Sequence, residues 1–96
     1  MPDSLGYPTK KELKRIKDWP VVMDIEGFLK FIEDLWHYPD RFVLTGKRIK
    51  KLYLSTGGWS GNESIIRAMQ ENIFWMIAWQ KSVRGGHHWF RWKGPK

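Results

Sequence analysis

Ile25, Phe28, Leu29, Ile32, Leu35 and Trp36 recur at steps of three, four and seven, the spacing of one face of an α-helix. Glu26, Lys30 and Glu33 fall on the other face, so the segment predicts an amphipathic helix. Asp24 stands where a side-chain oxygen would cap it, and Glu26 suits the positive end of its dipole. Met23 and Phe28 have the spacing of a hydrophobic staple, and Tyr38-Pro39-Asp40 ends the helix. A shorter helix precedes it. Thr9 and Glu12 form a capping box, Leu13 and Ile16 share a face, and Pro20 disfavours helical backbone at Trp19.

After residue 40 the period shortens to two. Arg41 to Thr45 is β-prone, Thr45-Gly46-Lys47 reads as a turn, and Arg48 to Ser55 reads as the returning strand of a hairpin. Ile49, Lys51, Tyr53 and Ser55 face one way and Arg48, Lys50, Leu52 and Leu54 the other. His87 to Lys93 alternates too, with His88, Phe90 and Trp92 on one face and His87, Trp89, Arg91 and Lys93 on the other.

Between these strands a glycine-rich loop, Thr56 to Asn62, leads into a second helical pattern. Ser60 and Glu63 have capping-box spacing, with Asn62 as a rival cap. Ile66, Met69, Ile73, Met76, Ile77 and Val83 predict the inner stripe of one long helix from about residue 62 to residue 84, closed by Gly85-Gly86 as a left-handed cap. Around Phe74, Trp75 and Trp79 the pattern is apolar on nearly every side, the mark of a central helix. The element order is α-α-β-β-α-β, an α+β domain with a small antiparallel sheet packed on a long central Trp-rich helix. Residues 1–8, with Pro2, Gly6 and Pro8, read as a flexible tail, which leaves a single domain over 9–96, the count that 96 residues allow.

Composition narrows the chemistry. With no cysteine there is neither a disulfide framework nor a Cys-ligated zinc site. The longest apolar run, Ile73 to Trp79, falls far short of the ~20 residues of a membrane span, and Met1 to Lys10 holds no apolar signal-peptide core. The expectation is a cytoplasmic protein with no membrane partner. Seven tryptophans can build a core from few residues. The apolar circumference of Ile73 to Trp79 also predicts a homodimer, with Trp75 or Trp79 near the contact.

The net charge of +7 is unevenly spread. Five acids stand against Lys30 alone in residues 21–40. Residues 41–56 carry Arg41, Lys47, Arg48, Lys50 and Lys51 with no acid, and residues 84–96 carry Arg84, Arg91, Lys93 and Lys96. If the two basic segments pair in one sheet they make one basic surface. Cations interleaved with aromatic rings are the combination that binds single-stranded nucleic acid. Lys47, Arg48, Lys50, Lys51, Arg91 and Lys93 are therefore the candidate nucleic-acid contacts, and Trp75, Trp79, His87 and Trp89 the candidate partner contacts.

Catalytic patterns fail. The loop does not fit a phosphate-binding G-x-x-x-x-G-K-[ST], because Asn62 stands where Lys is needed and Glu63 would repel phosphate. It does not fit G-x-S-x-G either, because Asn62 follows Gly61. His87 and His88 point to opposite faces of a strand and cannot easily share a metal. No catalytic residue, cofactor or metal is expected.

One stretch resembles a known group. Ser55-Thr56-Gly57-Gly58-Trp59-Ser60-Gly61-Asn62-Glu63, followed by Phe74-Trp75, Trp79, Ser82 and Arg84-Gly85-Gly86-His87, is similar to small proteins of tailed bacteriophages and prophages. In these a Gly-Gly-Trp-Ser-Gly-Asn-Glu loop precedes an aromatic helix and an Arg-Gly-Gly-His turn follows. The resemblance covers residues 52 to about 92. It implies a phage context and brings no mechanism. Together these readings give an expectation of a small phage-type binding protein that contacts nucleic acid through the basic hairpin and the last strand. The alternative is a factor that inhibits or redirects a host machine through protein contacts.

Overall fold

The computed structural model describes residues 7–93; positions 1–6 of the expected tail, and residues 94–96 with Lys96, lie outside the described residues. Helix α1 (Lys10–Asp18) begins at the capping box. Thr9 Oγ1 accepts the Glu12 N–H at 3.2 Å, and the Glu12 carboxylate accepts the Thr9 N–H at 2.8 Å. Helix α2 (Ile25–Leu35) is capped by Asp24, whose Oδ1 accepts the Gly27 N–H at 2.9 Å. A β-carbon at residue 27 would collide with that carboxylate. The staple between Met23 and Phe28 does not form, because Met23 is 87% exposed. The ring of Trp19, delivered by the end of α1, meets Phe28 edge-on instead, with centroids 6.3 Å apart.

A single 3-10 turn (Pro39–Arg41) leads into β1 (Phe42–Thr45) and β2 (Ile49–Ser55); then come α3 (Ser60–Gln70), α4 (Ile73–Ala78), β3 (Trp79–Val83) and β4 (His87–Lys93). The four strands form one antiparallel sheet in the order β1-β2-β4-β3. The α+β class stands. The long central helix does not: the segment expected as one helix is two helices and a strand. Of the expected inner stripe only Ile66 and Met69 are buried; α3 ends before Asn72, which caps a new helix, so that Ile73, Met76, Ile77 and Val83 are exposed, and after Ala78 the chain becomes extended. Arg84-Gly85-Gly86 is then the turn of a β3–β4 hairpin, with Gly85 and Gly86 at φ +95° and +82°. Glycines at positive φ serve a helix end and a hairpin turn equally well. Here β4 has an edge free for pairing, and β3 fills it.

The helices lie on one side of this sheet. Phe42, Leu52, Leu54, Phe90 and Trp92 are buried there together with Phe28, Leu29, Ile32, Ile65, Met69 and Phe74. Phe74 sits at the centre of the aromatic core, 5.2 Å from Phe28 and 5.4 Å from both Phe90 and Trp92, ring to ring. Trp75 stacks on Trp79 at 6.1 Å and meets Phe90 edge-on, so both tryptophans belong to the helix side of the sheet.

Asn72 joins the two halves of this helical layer. Its Oδ1 accepts the Phe74 N–H at 2.8 Å and so caps α4; its Nδ2 donates to the Ile16 carbonyl at 2.8 Å and the Trp19 carbonyl at 3.1 Å, at the end of α1. The side chain is almost wholly buried. Asn72→Ala is expected to cost about 2–4 kcal/mol, since it removes a cap and strands buried carbonyls. Asn72→Asp keeps the capping oxygen and loses the donor, so it is expected to remain clearly destabilised. Urea denaturation of both variants checks this.

Candidate nucleic-acid interface on the open face of the sheet

The register of β2 against β4 sorts the side chains between the two faces. Ile49 is opposite Lys93, Lys51 opposite Arg91, Tyr53 opposite Trp89 and Ser55 opposite His87, all turned away from the helices; the residues between them turn inward. Val43 and Thr45 of β1 join the outward set, as do Lys81 and Val83 of β3 through their pairing with Trp89 and His87. Lys51, Lys81, Arg91 and Lys93 are exposed, and Tyr53, His87 and Trp89 are half-buried.

The rings form a continuous group. Tyr53 and Trp89 lie on the two central strands with centroids 5.1 Å apart. His87 lies 6.0 Å from Tyr53, nearly parallel to it, and 6.1 Å from Trp89. The Tyr53 hydroxyl and His87 Nδ1 are hydrogen-bonded at 2.7 Å. Lys81 Nζ stands 4.7 Å from the centre of the Trp89 ring, within range of a cation–π attraction. Among the described residues no acid is in a strand, so their carboxylates belong to the helical layer and the loops while the strands carry only positive charge.

The candidate residues divide. Lys51, Arg91 and Lys93 come together on the open face, with Lys47 and Arg48 exposed in the β1–β2 turn. Lys50 is opposite Trp92 on the other face, where it lines a groove with Glu26 and Glu33 of α2. Among the candidate partner contacts, His87 and Trp89 join the open face, and Trp75 and Trp79 do not. Sequence reasoning missed Tyr53, Gln80 and Lys81. Tyr53 shares its strand face with Lys51, a signal the alternation already held. Gln80 and Lys81 were hidden inside the expected helix.

The motif loop does a different job. Gly57 and Gly58 take positive φ. Ser60 is the first residue of α3, not its cap: the capping position is Trp59, with no side-chain cap bond, so the expected Ser60–Glu63 box does not form. Nor does Asn62 cap the helix. It is fully buried, its Oδ1 accepting the His37 N–H at 3.0 Å and its Nδ2 donating to the His37 carbonyl at 2.9 Å and the Thr56 carbonyl at 3.3 Å. Trp59 is held between Tyr7, at 4.8 Å, and His37, at 4.4 Å, so that Tyr7 of the expected tail is packed against the domain. A β-carbon at Gly61 would collide with the Trp59 ring. Gly57 to Glu63 therefore fastens the chain at His37, beyond the end of α2, to the start of α3.

No group of three or more His, Asp or Glu side chains among the described residues could hold a metal ion, and no helix of the described residues is long and apolar enough to cross a membrane.

His88 faces the helices, its Nδ1 2.7 Å from Ser82 Oγ, which accepts the Trp79 Nε1–H at 2.8 Å. Burial, and then the neighbouring His87, push the His88 pKa below the ordinary imidazole value of 6.5. The folded protein thus binds this proton less readily than the unfolded chain. The stability contributed by neutral His88 is present above pH 6.5 and lost as pH falls through its lowered native value. Thermal melts from pH 7.5 to pH 5 are expected to show that loss, and His88→Gln to flatten it. Trp59→Ala is expected to lower stability by about 3 kcal/mol, the scale for a packed aromatic, also read by denaturation.

No protein-family model, no curated protein and no solved structure matches the chain; nothing in these comparisons indicates an enzyme, and the functional reading rests on the geometry of the sheet.

Proposed function

We propose that the protein binds single-stranded nucleic acid on the open face of its sheet. The observation that carries this is the cross-strand pair of Tyr53 and Trp89 on the central strands, framed by Lys51, Lys81, Arg91 and Lys93 on strands without an acid. Ring faces stack on bases, and the surrounding cations follow the phosphates. A single strand offers unpaired base faces to such a platform, whereas a duplex hides them in its own stack. A phage or prophage setting is supported only by the resemblance of the Gly57–Glu63 loop and the Arg84–His87 turn.

A second reading has its own support. Val22, Met23, Ile73, Met76 and Ile77 are exposed, Met76 by 86%, and Val22 and Ile77 line one groove. Exposed apolar patches often mark protein contacts. A second copy of the chain or a host protein would cover this one, on the side of the molecule opposite the open face.

Fluorescence anisotropy of a labelled single-stranded oligonucleotide tests the first reading. Tyr53→Ala and Trp89→Ala are each expected to weaken binding by about 1–3 kcal/mol, the contribution of one stacked base. With three or four phosphates neutralised, the log–log salt slope is expected at about −2 to −3. Met76→Asp, on the other patch, is expected to leave affinity unchanged. Absence of binding, or a Trp89→Ala variant as tight as the parent, would refute the reading.

A further inference from the structure

Ser55 is turned to the open face by its pairing with His87, yet it is almost wholly buried. Arg41 meets it there: its Nη1–H donates to Ser55 Oγ at 3.3 Å. Arg41 stands one step before Phe42, which pairs with Leu54, and so comes beside Ser55 at the end of the sheet. Its side chain is held on two further sides. Cζ lies 5.6 Å from the centre of the Tyr38 ring, and Cδ lies 3.5 Å from the point that a β-carbon on Gly57 would occupy. Tyr38 reaches this place with φ +66°, the one non-glycine among the described residues in left-handed backbone. Such conformations cost free energy and gather where a fixed geometry is needed. Arg41 is exposed, and it belongs to none of the ion pairs among the described residues. A guanidinium fixed in this way, open to solvent and without a carboxylate, keeps its remaining donors for an anion.

The rings of the open face therefore have cations at both ends. Along the seam between β2 and β4 the outward pairs follow one another about 7 Å apart, two residues at a time. Ile49 with Lys93 comes first, then Lys51 with Arg91, Tyr53 with Trp89, and Ser55 with His87. Arg41 adds a cation to the last of these. Beside the rings is a depression of about 220 Å³ edged by Val43, Thr45, Lys51, Tyr53, Gln80 and Trp89. Gln80 reaches its edge as the extra residue of a bulge between Trp79 and Lys81. Across the sheet, at the level of the rings, Lys81 of β3 is a cation but its counterpart on β1 is Val43. Charge thus brackets the rings along the seam and not across it. Resting on the single-strand reading, we infer that the nucleic acid runs along the β2–β4 seam, with Arg41 binding a phosphate at one end of the path and Lys93 a phosphate at the other. Lys51 and Arg91 hold phosphate between them, and bases stack at Tyr53 and Trp89. From His87 to Lys93 the seam is about 20 Å long, so the two end cations serve different phosphates. Ser55 and Tyr38 position Arg41 and touch no phosphate themselves.

Anisotropy of a labelled oligo(dT) of about eight nucleotides, within the range of single-strand site sizes, tests this on the full chain over a tenfold range of salt. One phosphate contact adds about 0.7 to the log–log slope, so the parent is expected to lose about fivefold more affinity over that range than Arg41→Ala or Lys93→Ala. Against the variant that lacks both cations the difference is expected to reach about 25-fold, since the two phosphates are separate. Arg41→Gln, which keeps an N–H for Ser55 and removes the charge, is expected to behave as Arg41→Ala does. Arg41→Lys, which keeps the charge, is expected to hold the parent slope. Thermal melts verify that each variant is folded. A parent slope in both Arg41→Ala and Arg41→Gln, or in Lys93→Ala, would overturn the path. So would an Arg41→Lys slope as low as that of Arg41→Ala, which would make Arg41 a structural residue. If Trp89→Ala still weakened binding in those cases, the single-strand reading would stand without Arg41. If the oligonucleotide did not bind at all, both would fall.

Discussion

β2 and β4 pair over seven residues, from Ile49 opposite Lys93 to Ser55 opposite His87, and that register sets both the core and the open face. A slip of one residue would turn the buried Leu52, Leu54, Phe90 and Trp92 to solvent and press Lys51, Tyr53 and Arg91 against the helices. Because the pleat has a period of two, no intermediate arrangement exists. The far end of the pairing is fixed by a close contact. The Thr56 N–H donates to the Gly86 carbonyl at 3.0 Å, and a β-carbon on Gly86 would collide with the Thr56 side chain. The hairpin turn and the end of β2 are thus locked at the place where the glycine-rich loop begins.

The helical layer has to remain on one side for the other face to stay open. Two buried asparagines do much of this. Asn72 caps α4 and satisfies carbonyls at the end of α1, and Asn62 satisfies both backbone groups of His37 after α2. Each side chain meets its buried partners fully, so the cost of burying an amide is offset. The segregation of charge follows the same division. Among the described residues the carboxylates sit on helices and loops, the strands carry lysine, arginine and aromatic rings, and no strand holds an acid to repel a polyanion.

Much of the fold was legible where one local pattern had one solution. The Thr9–Glu12 box, the Asp24 cap, the stripe of α2, the β1–β2 hairpin and the alternation of β4 are all local, and they stand. The stretch from Asn72 to Gly86 was ambiguous, because an apolar run suits a central helix and a Gly-Gly pair suits either a helix end or a hairpin. Pairing with β4, a tertiary contact, decided between them. Two residues on the open face lay in that stretch: Lys51, Arg91, Lys93, His87 and Trp89 could be nominated, whereas Gln80 and Lys81 could not. Lys50 differs from Lys51 only by one step along a strand, yet it faces α2. Asn62 looked like a cap because its real partner is at His37, 25 positions away, and no short-range pattern carries such a contact.

Two-dimensional NMR of the isotope-labelled protein, titrated with a short single-stranded oligonucleotide, most directly tests whether the open face is the functional one. The account expects the Trp89 indole N–H and the amides of Lys51, Tyr53, Lys81 and Arg91 to shift together, while the amides of α1, α2 and α3 stay in place. Shifts confined to Val22, Met23 and α4, or the absence of any shift at saturating oligonucleotide, would contradict it.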